Sequence, residues 1–161
     1  MVYVMVDVES DGPIPGDYSM ICFGAVVVRE GLEQIFYGRL KPISEKWIPE
    51  ALSVSGFTRE DTLGFGDPKN VMENFARWIE KNTKGRALFV SDNNGFDWQF
   101  INWYFWHFTG GTHSAIRAQI LARCTRVWSR TRSRISSICG KLGTRTIRWT
   151  TREETPKPCW R

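Results

Sequence analysis

The run Val2-Tyr3-Val4-Met5-Val6-Asp7-Val8-Glu9 is nearly continuous in apolar residues, which predicts a first strand buried on both faces. Asp11-Gly12-Pro13 and Pro15-Gly16-Asp17 break it. Two more apolar runs, Met20 to Val28 and Gln34 to Leu40, predict a second and a third strand. The short link around Arg29-Glu30-Gly31 makes them an antiparallel hairpin. After Pro42 a short helical piece is expected around Pro49-Glu50-Ala51-Leu52. In Ser55-Gly56-Phe57-Thr58, which follows, Thr58 can cap a turn holding Glu60 and Asp61.

Asp67-Pro68 opens a longer helix, with Asp as N-cap and Pro at its first position. Val71, Phe75, Trp78 and Ile79 recur at helical spacing and predict its buried stripe. Arg86 to Ser91 predicts a fourth strand, ending in Asp92-Asn93-Asn94-Gly95, and Phe96 to Trp106 an aromatic helix whose rings read as core. Beyond about Gly110 no sustained period of 2 or 3.6 continues.

Composition narrows the class. With 161 residues, 42% of them hydrophobic, and eight Trp, the chain has material for one domain with a real core. No apolar stretch reaches the roughly 18 to 20 residues that span a bilayer, and the N-terminus lacks the layout of a signal peptide, so a cytoplasmic location and no membrane partner are expected. Cys22, Cys124, Cys139 and Cys159 show neither C-x-x-C pairing nor zinc spacing and read as free thiols. The net charge of +5 hides an asymmetry. Residues 1–110 carry 10 Lys+Arg against 15 Asp+Glu, a net of −5, whereas residues 111–161 carry 12 against 2, a net of +10. All the basicity lies in the tail, and a basic arm for nucleic acid is its plain reading.

The candidate chemistry begins at the end of the first strand. Side chains two apart in a strand share a face, so Asp7 and Glu9 project together, and two such acids repel unless a cation sits between them. Two solvated acids at a strand end fit the same pattern. Asp97 supplies a third carboxylate, early in the helix that follows the fourth strand. If that strand lies beside the first, Asp97 meets Asp7 and Glu9 at one sheet edge. Three carboxylates there can hold two hard divalent cations suited to phosphodiester cleavage.

The order of a strand with Asp7-x-Glu9, antiparallel strands, Ser55-Gly56-Phe57-Thr58-x-Glu60, and a strand followed by Phe96-Asp97-x-x-Phe100 resembles the DEDD 3′→5′ exonucleases. Ser91-Asp92-Asn93 and Phe96-Asp97-Trp98-Gln99 look most like a small stand-alone exoribonuclease subgroup. The resemblance covers about residues 1–109. It implies an α/β fold, a ribonuclease H-like mixed sheet flanked by helices, incomplete here at the C-terminus. It also implies Asp7, Glu9 and Asp97 as catalytic metal ligands for two Mg²⁺ or Mn²⁺ ions. Ser10, Ser55, Gly56 and Phe57 become contacts to the terminal nucleotide. The partner is then a nucleic acid, RNA ahead of DNA, and the intact relative is a possible homodimer.

The family also requires a final His-x-x-x-x-Asp, whose His takes a proton from the attacking water. His107 and His113 are the only histidines, and no Asp follows Asp97. The genetic code offers a reason. Joining the third base of each codon to the first two bases of the next, Gly143 to Trp160 permits His-Thr-His-Asn-Pro-Val-Asp-Asp followed by an Ala-rich phrase. One of those residues is forced: Trp149 has the single codon TGG and Thr150 begins AC, which together spell GAC, an Asp. The second His stands five residues before the second Asp, the family's spacing. The reading is therefore an exonuclease domain over 1–110 and a basic, out-of-frame and disordered tail over 111–161. Loss of the helices that would follow predicts uncovered apolar faces on Phe100, Trp103 and Phe105.

Overall fold

A computed structural model of the protein describes residues 2–29, 31–83, 85 and 87–111, together with the backbone of 116–118. Its elements, in chain order, are β1 (Val2–Ser10), β2 (Met20–Val27), β3 (Ile35–Arg39), α1 (Pro49–Ser55), α2 (Arg59–Leu63), α3 (Pro68–Asn82), β4 (Ala87–Val90), α4 (Asn94–Thr109) and β5 (Ile116–Ala118). The strands form one mixed sheet in the order β3-β2-β1-β4-β5. β1 runs antiparallel to β2 and parallel to β4, so it lies inside the sheet, as its continuous apolar run requires.

Alternation along β1 sorts its side chains. Val4, Val6 and Val8 enter the main core with Phe23, Phe75, Phe89 and Phe100, while Met5 joins Val26 in a smaller cluster on the other face. Asp7 and Glu9 share Met5's face by the period of two and are half-buried. The pairing with β2 slips between Glu9 and Ser10, where Glu9 opposes Cys22 but Ser10 opposes Met20. Such an irregularity bends a strand and re-aims its side chains. Here it falls immediately after the second acid.

The helix signals act as the sequence predicts. Asp67 accepts from the Asn70 N–H at 3.0 Å with Pro68 at the first helical position, and Thr58 forms a reciprocal capping box with Asp61 at the start of α2. The buried stripe of α3 is Met72, Phe75, Ala76 and Ile79, so it lies slightly around the helix from the one predicted. Val71 and Trp78 flank it, partly buried against the core.

Two expectations about the end of the domain change. Phe100 and Phe105 are fully buried, and Trp103 is partly buried against the core. α3 and β1 cover them: Phe105 stacks on Phe75 with ring centroids 5.7 Å apart. A short strand also lies past Gly110, where β5 pairs in parallel with β4 through Ala87 and Ile116. Three residues are too few for a period of two to stand out in a sequence. The expected disorder of the tail lies outside the described residues.

Candidate active site

β1 and β4 part company at their carboxyl ends. Their last paired residues are Met5 and Val90, so the backbone of β1 beyond Met5 has no ladder partner on that side. Asp97, on the first turn of α4, fills the gap: its Oδ1 accepts the Val8 N–H at 3.1 Å. The side chain thus replaces a strand at the point where two strands diverge, and it reaches the residue that separates Asp7 from Glu9. Asp97 is only 3% exposed. Its carboxyl is pushed up to about 7, first by burial and then by the facing charge of Asp7, against the pull of the Val8 N–H. A hard cation would relieve that strain, and oxygen donors are what Mg²⁺ and Mn²⁺ take.

The donor set therefore fits a divalent ion in its chemistry, with Asp7 and Asp97 as the facing pair. Glu9 lies on the Asp7 side of β1. Among the described residues no three His, Cys, Asp or Glu side chains already stand together as a ready metal cage.

The remaining expected contacts occupy the surrounding turns. Ser10 is buried and donates its hydroxyl to the Gly12 carbonyl at 2.7 Å. Ser55 closes α1, donating to the Leu52 carbonyl at 2.7 Å and accepting the Phe57 N–H at 3.3 Å. Gly56 follows at φ 78°, a left-handed helix end that favours glycine. Phe57 packs edge-on to Phe65, with centroids 4.9 Å apart. α1 itself lies against β1 and β2.

A buried polar network ties these parts together, and the sequence reading passes over it. Asp11, completely buried, accepts the Ser19 N–H at 2.5 Å and pairs with Arg59 at 2.8 Å. Arg59 also donates to the Ser44 carbonyl at 2.5 Å, and the Asp11 carbonyl accepts the Ile48 N–H at 2.8 Å. Burial raises the Asp11 carboxyl above the ordinary carboxylate range even though Ser19 and Arg59 pull it down. Tyr104 of α4 accepts the Met20 N–H at 2.8 Å, and burial raises its hydroxyl too. Asp11 sits in a Gly-Pro turn, where an acid is ordinary, so no local pattern betrays its burial.

His107 is an exposed residue stacked on Trp103, with ring centroids 4.4 Å apart. It lies ten positions along α4 from Asp97, about 15 Å of helix, too far to serve that carboxylate. His113 lies outside the described residues.

The chain is similar to known proteins. The exonuclease family model of the RNase T type matches residues 4–145. The 3′-5′ DNA exonuclease Cap18 of Escherichia coli is 44% identical over 120 residues, covering 73% of this chain and 64% of that protein. Among solved structures, exonuclease I aligns with a TM-score of 0.58 at 14% identity, over 73% of this chain and 28% of its own. The E. coli enzyme in complex with a dT13 oligonucleotide also aligns at 0.58, with 16% identity, over 72% of this chain and 27% of its own. The chain thus spans less than two thirds of the length of these relatives. A mixed sheet with a carboxylate strand at its centre, and a match over most of the chain, place this protein in the RNase T-type exonuclease family of the DEDD superfamily.

Proposed function

We propose that the protein is built for metal-dependent 3′→5′ hydrolysis of nucleic acid. The observation that carries this reading is the buried Asp97 carboxylate, fixed by the Val8 N–H and facing Asp7 where β1 and β4 diverge. Asp7, Glu9 and Asp97 would hold Mg²⁺ or Mn²⁺, two ions in the family's design. When bound, such ions acidify a water and offset charge on the leaving 3′ oxygen. The chain's own contribution is placement. Val8 orients Asp97, and Ser10 together with the α1 turn at Ser55, Gly56 and Phe57 would receive the terminal nucleotide.

The sequence resemblance favours RNA, whereas the 44%-identical relative is named a DNA exonuclease. We take single-stranded DNA as the first substrate to offer and RNA as its competitor in one assay.

The general base is the weak point. Without a His-x-x-x-x-Asp, the chain as it stands would turn over poorly, and we propose that the bases after the Gly110 codon still encode that motif in another frame. The family match runs on to residue 145, past this boundary, so the nucleotide sequence decides. Third bases that do not spell His-x-x-x-x-Asp over Gly143 to Trp160 end the proposal.

Mononucleotide release from 3′-labelled oligonucleotides with Mn²⁺ tests the whole reading. A chain carrying the shifted-frame tail is expected to release mononucleotides at least a hundredfold faster than the present one. Internal fragments as products would exclude an exonuclease. The net +10 of residues 111–161 supports a second reading, a non-catalytic nucleic-acid binder. Its mark is affinity that falls steeply with salt yet ignores chelators and Asp97→Ala.

A further inference from the structure

The exposed large apolar side chains among the described residues are Tyr3, Ile14, Trp47, Val54, Leu63 and Trp106. Single exposed apolar residues are ordinary on protein surfaces, so exposure alone says little. Trp47 differs in what lies against it. The residue is 40% exposed, and the Arg59 guanidinium sits over its ring at 5.9 Å from the centroid.

That guanidinium is not a wandering surface cation. One nitrogen is held by buried Asp11 at 2.8 Å and another by the Ser44 carbonyl at 2.5 Å, and the Arg59 side chain is only 15% exposed. Three separate segments converge to fix a cation in the position that steadies one exposed indole.

The location is as specific as the support. The residue after Trp47, Ile48, donates its N–H to the Asp11 carbonyl at 2.8 Å, two positions beyond Glu9. Tyr3 lies near the opposite end of β1, and Trp106 lies nine residues along α4 from Asp97. Trp47 is thus the exposed aromatic tied directly to the carboxylate end of β1. Lys46, paired loosely with Asp17 at 3.6 Å and well exposed, sets a positive charge next to it.

We propose that Trp47 is a stacking platform for one base of single-stranded nucleic acid entering the site, held ready by Arg59 and Asp11. This rests on the exonuclease reading and adds to it the contact that grips the strand. An aromatic face accepts any base, because every base has a π-face, and an adjacent cation suits the phosphate between bases. The fixed Arg59 means that little ordering is left to be done on binding.

Binding of a labelled oligothymidylate to the full chain, followed by anisotropy in Ca²⁺ to hold back cleavage, provides the test. Trp47→Ala is expected to weaken binding about tenfold and Trp47→Phe about twofold or less. A series of oligonucleotides with one abasic site moved along the strand then locates the stacked base. At one position near the 3′ end, wild type should lose about as much as Trp47→Ala does, and the variant should lose nothing further. An alanine penalty that is absent, or equal at every abasic position, overturns the platform while leaving the exonuclease reading intact. Failure of wild type to bind any single strand overturns both. Should Trp47→Ala unfold, the abasic series on wild type and Trp47→Phe still decides: no single position of enhanced loss sinks the proposal.

Discussion

The Val8 N–H donates to Asp97 Oδ1 across 3.1 Å, joining two residues 89 positions apart in the chain. This bond converts a gap between diverging strands into a seat for charge. Because Asn presents the same carbonyl-type acceptor without the charge, Asp97→Asn should fold with this geometry kept. Introduced into a chain carrying the shifted-frame tail, the same change should nevertheless lower Mn²⁺-dependent nucleotide release by at least two orders of magnitude. Retained turnover in that comparison would remove Asp97 from the metal site.

The same carboxyl sets a pH dependence. It titrates near 7 in the folded protein and near its ordinary value of 3.8 when unfolded, so the folded state holds its proton more tightly. The stability this confers is fully present below about pH 4 and is lost as pH rises through about 7. In EDTA, the stability advantage of Asp97→Asn over wild type should therefore grow from pH 5 to pH 8, reaching on the order of a few kcal/mol at most. Calorimetry across that range reads it directly; an advantage that shrinks with pH contradicts the assignment.

Cation binding is separable from catalysis. Millimolar Mn²⁺ at pH 8 should raise the Tm of wild type by a few degrees through mass action and leave Asp97→Asn nearly unmoved. An equal rise in both proteins would place the ion elsewhere.

Arg59→Met leaves Asp11 buried without its cation, which costs about 3 to 5 kcal/mol in such settings. The double change Asp11→Asn with Arg59→Met should recover a substantial part of that loss. Urea denaturation of the four proteins forms a complete cycle, and strict additivity would mean that the pair does not interact.

Gly38 faces a tighter constraint than its place in β3 suggests. A Cβ there would come within 2.7 Å of the Phe23 ring and 2.9 Å of Val71. Gly38→Ala should lower stability by about 1 to 3 kcal/mol through overpacking, measurable as a lower Tm.

The elements of the domain were legible because their signals are local. The continuous apolar run of β1, the Asp67-Pro68 start and the Thr58 capping box each act within a few residues. The approach of Asp97 to Asp7 was legible because a strand end and a helix start are where such acids are expected. Asp11, Arg59 and Tyr104 were not, since their roles come from burial beneath segments 15 to 84 residues away. A three-residue strand such as β5 likewise carries no period to read. The stripe of α3 moved because the choice among Val71, Met72 and Ala76 depends on how closely the helix approaches the sheet.

The placement of β1 inside the sheet, flanked by β2 and β4, also orders events in time. During synthesis β1 leaves the ribosome first and can pair with β2 at once, but its other edge has no mate until β4 follows some eighty residues later. Asp7 and Glu9 thus precede Asp97 by about ninety residues of synthesis. The step that closes the long loop is also the step that brings Asp97 to Val8, so a chain interrupted before α4 would carry Asp7 and Glu9 without the carboxylate that faces Asp7.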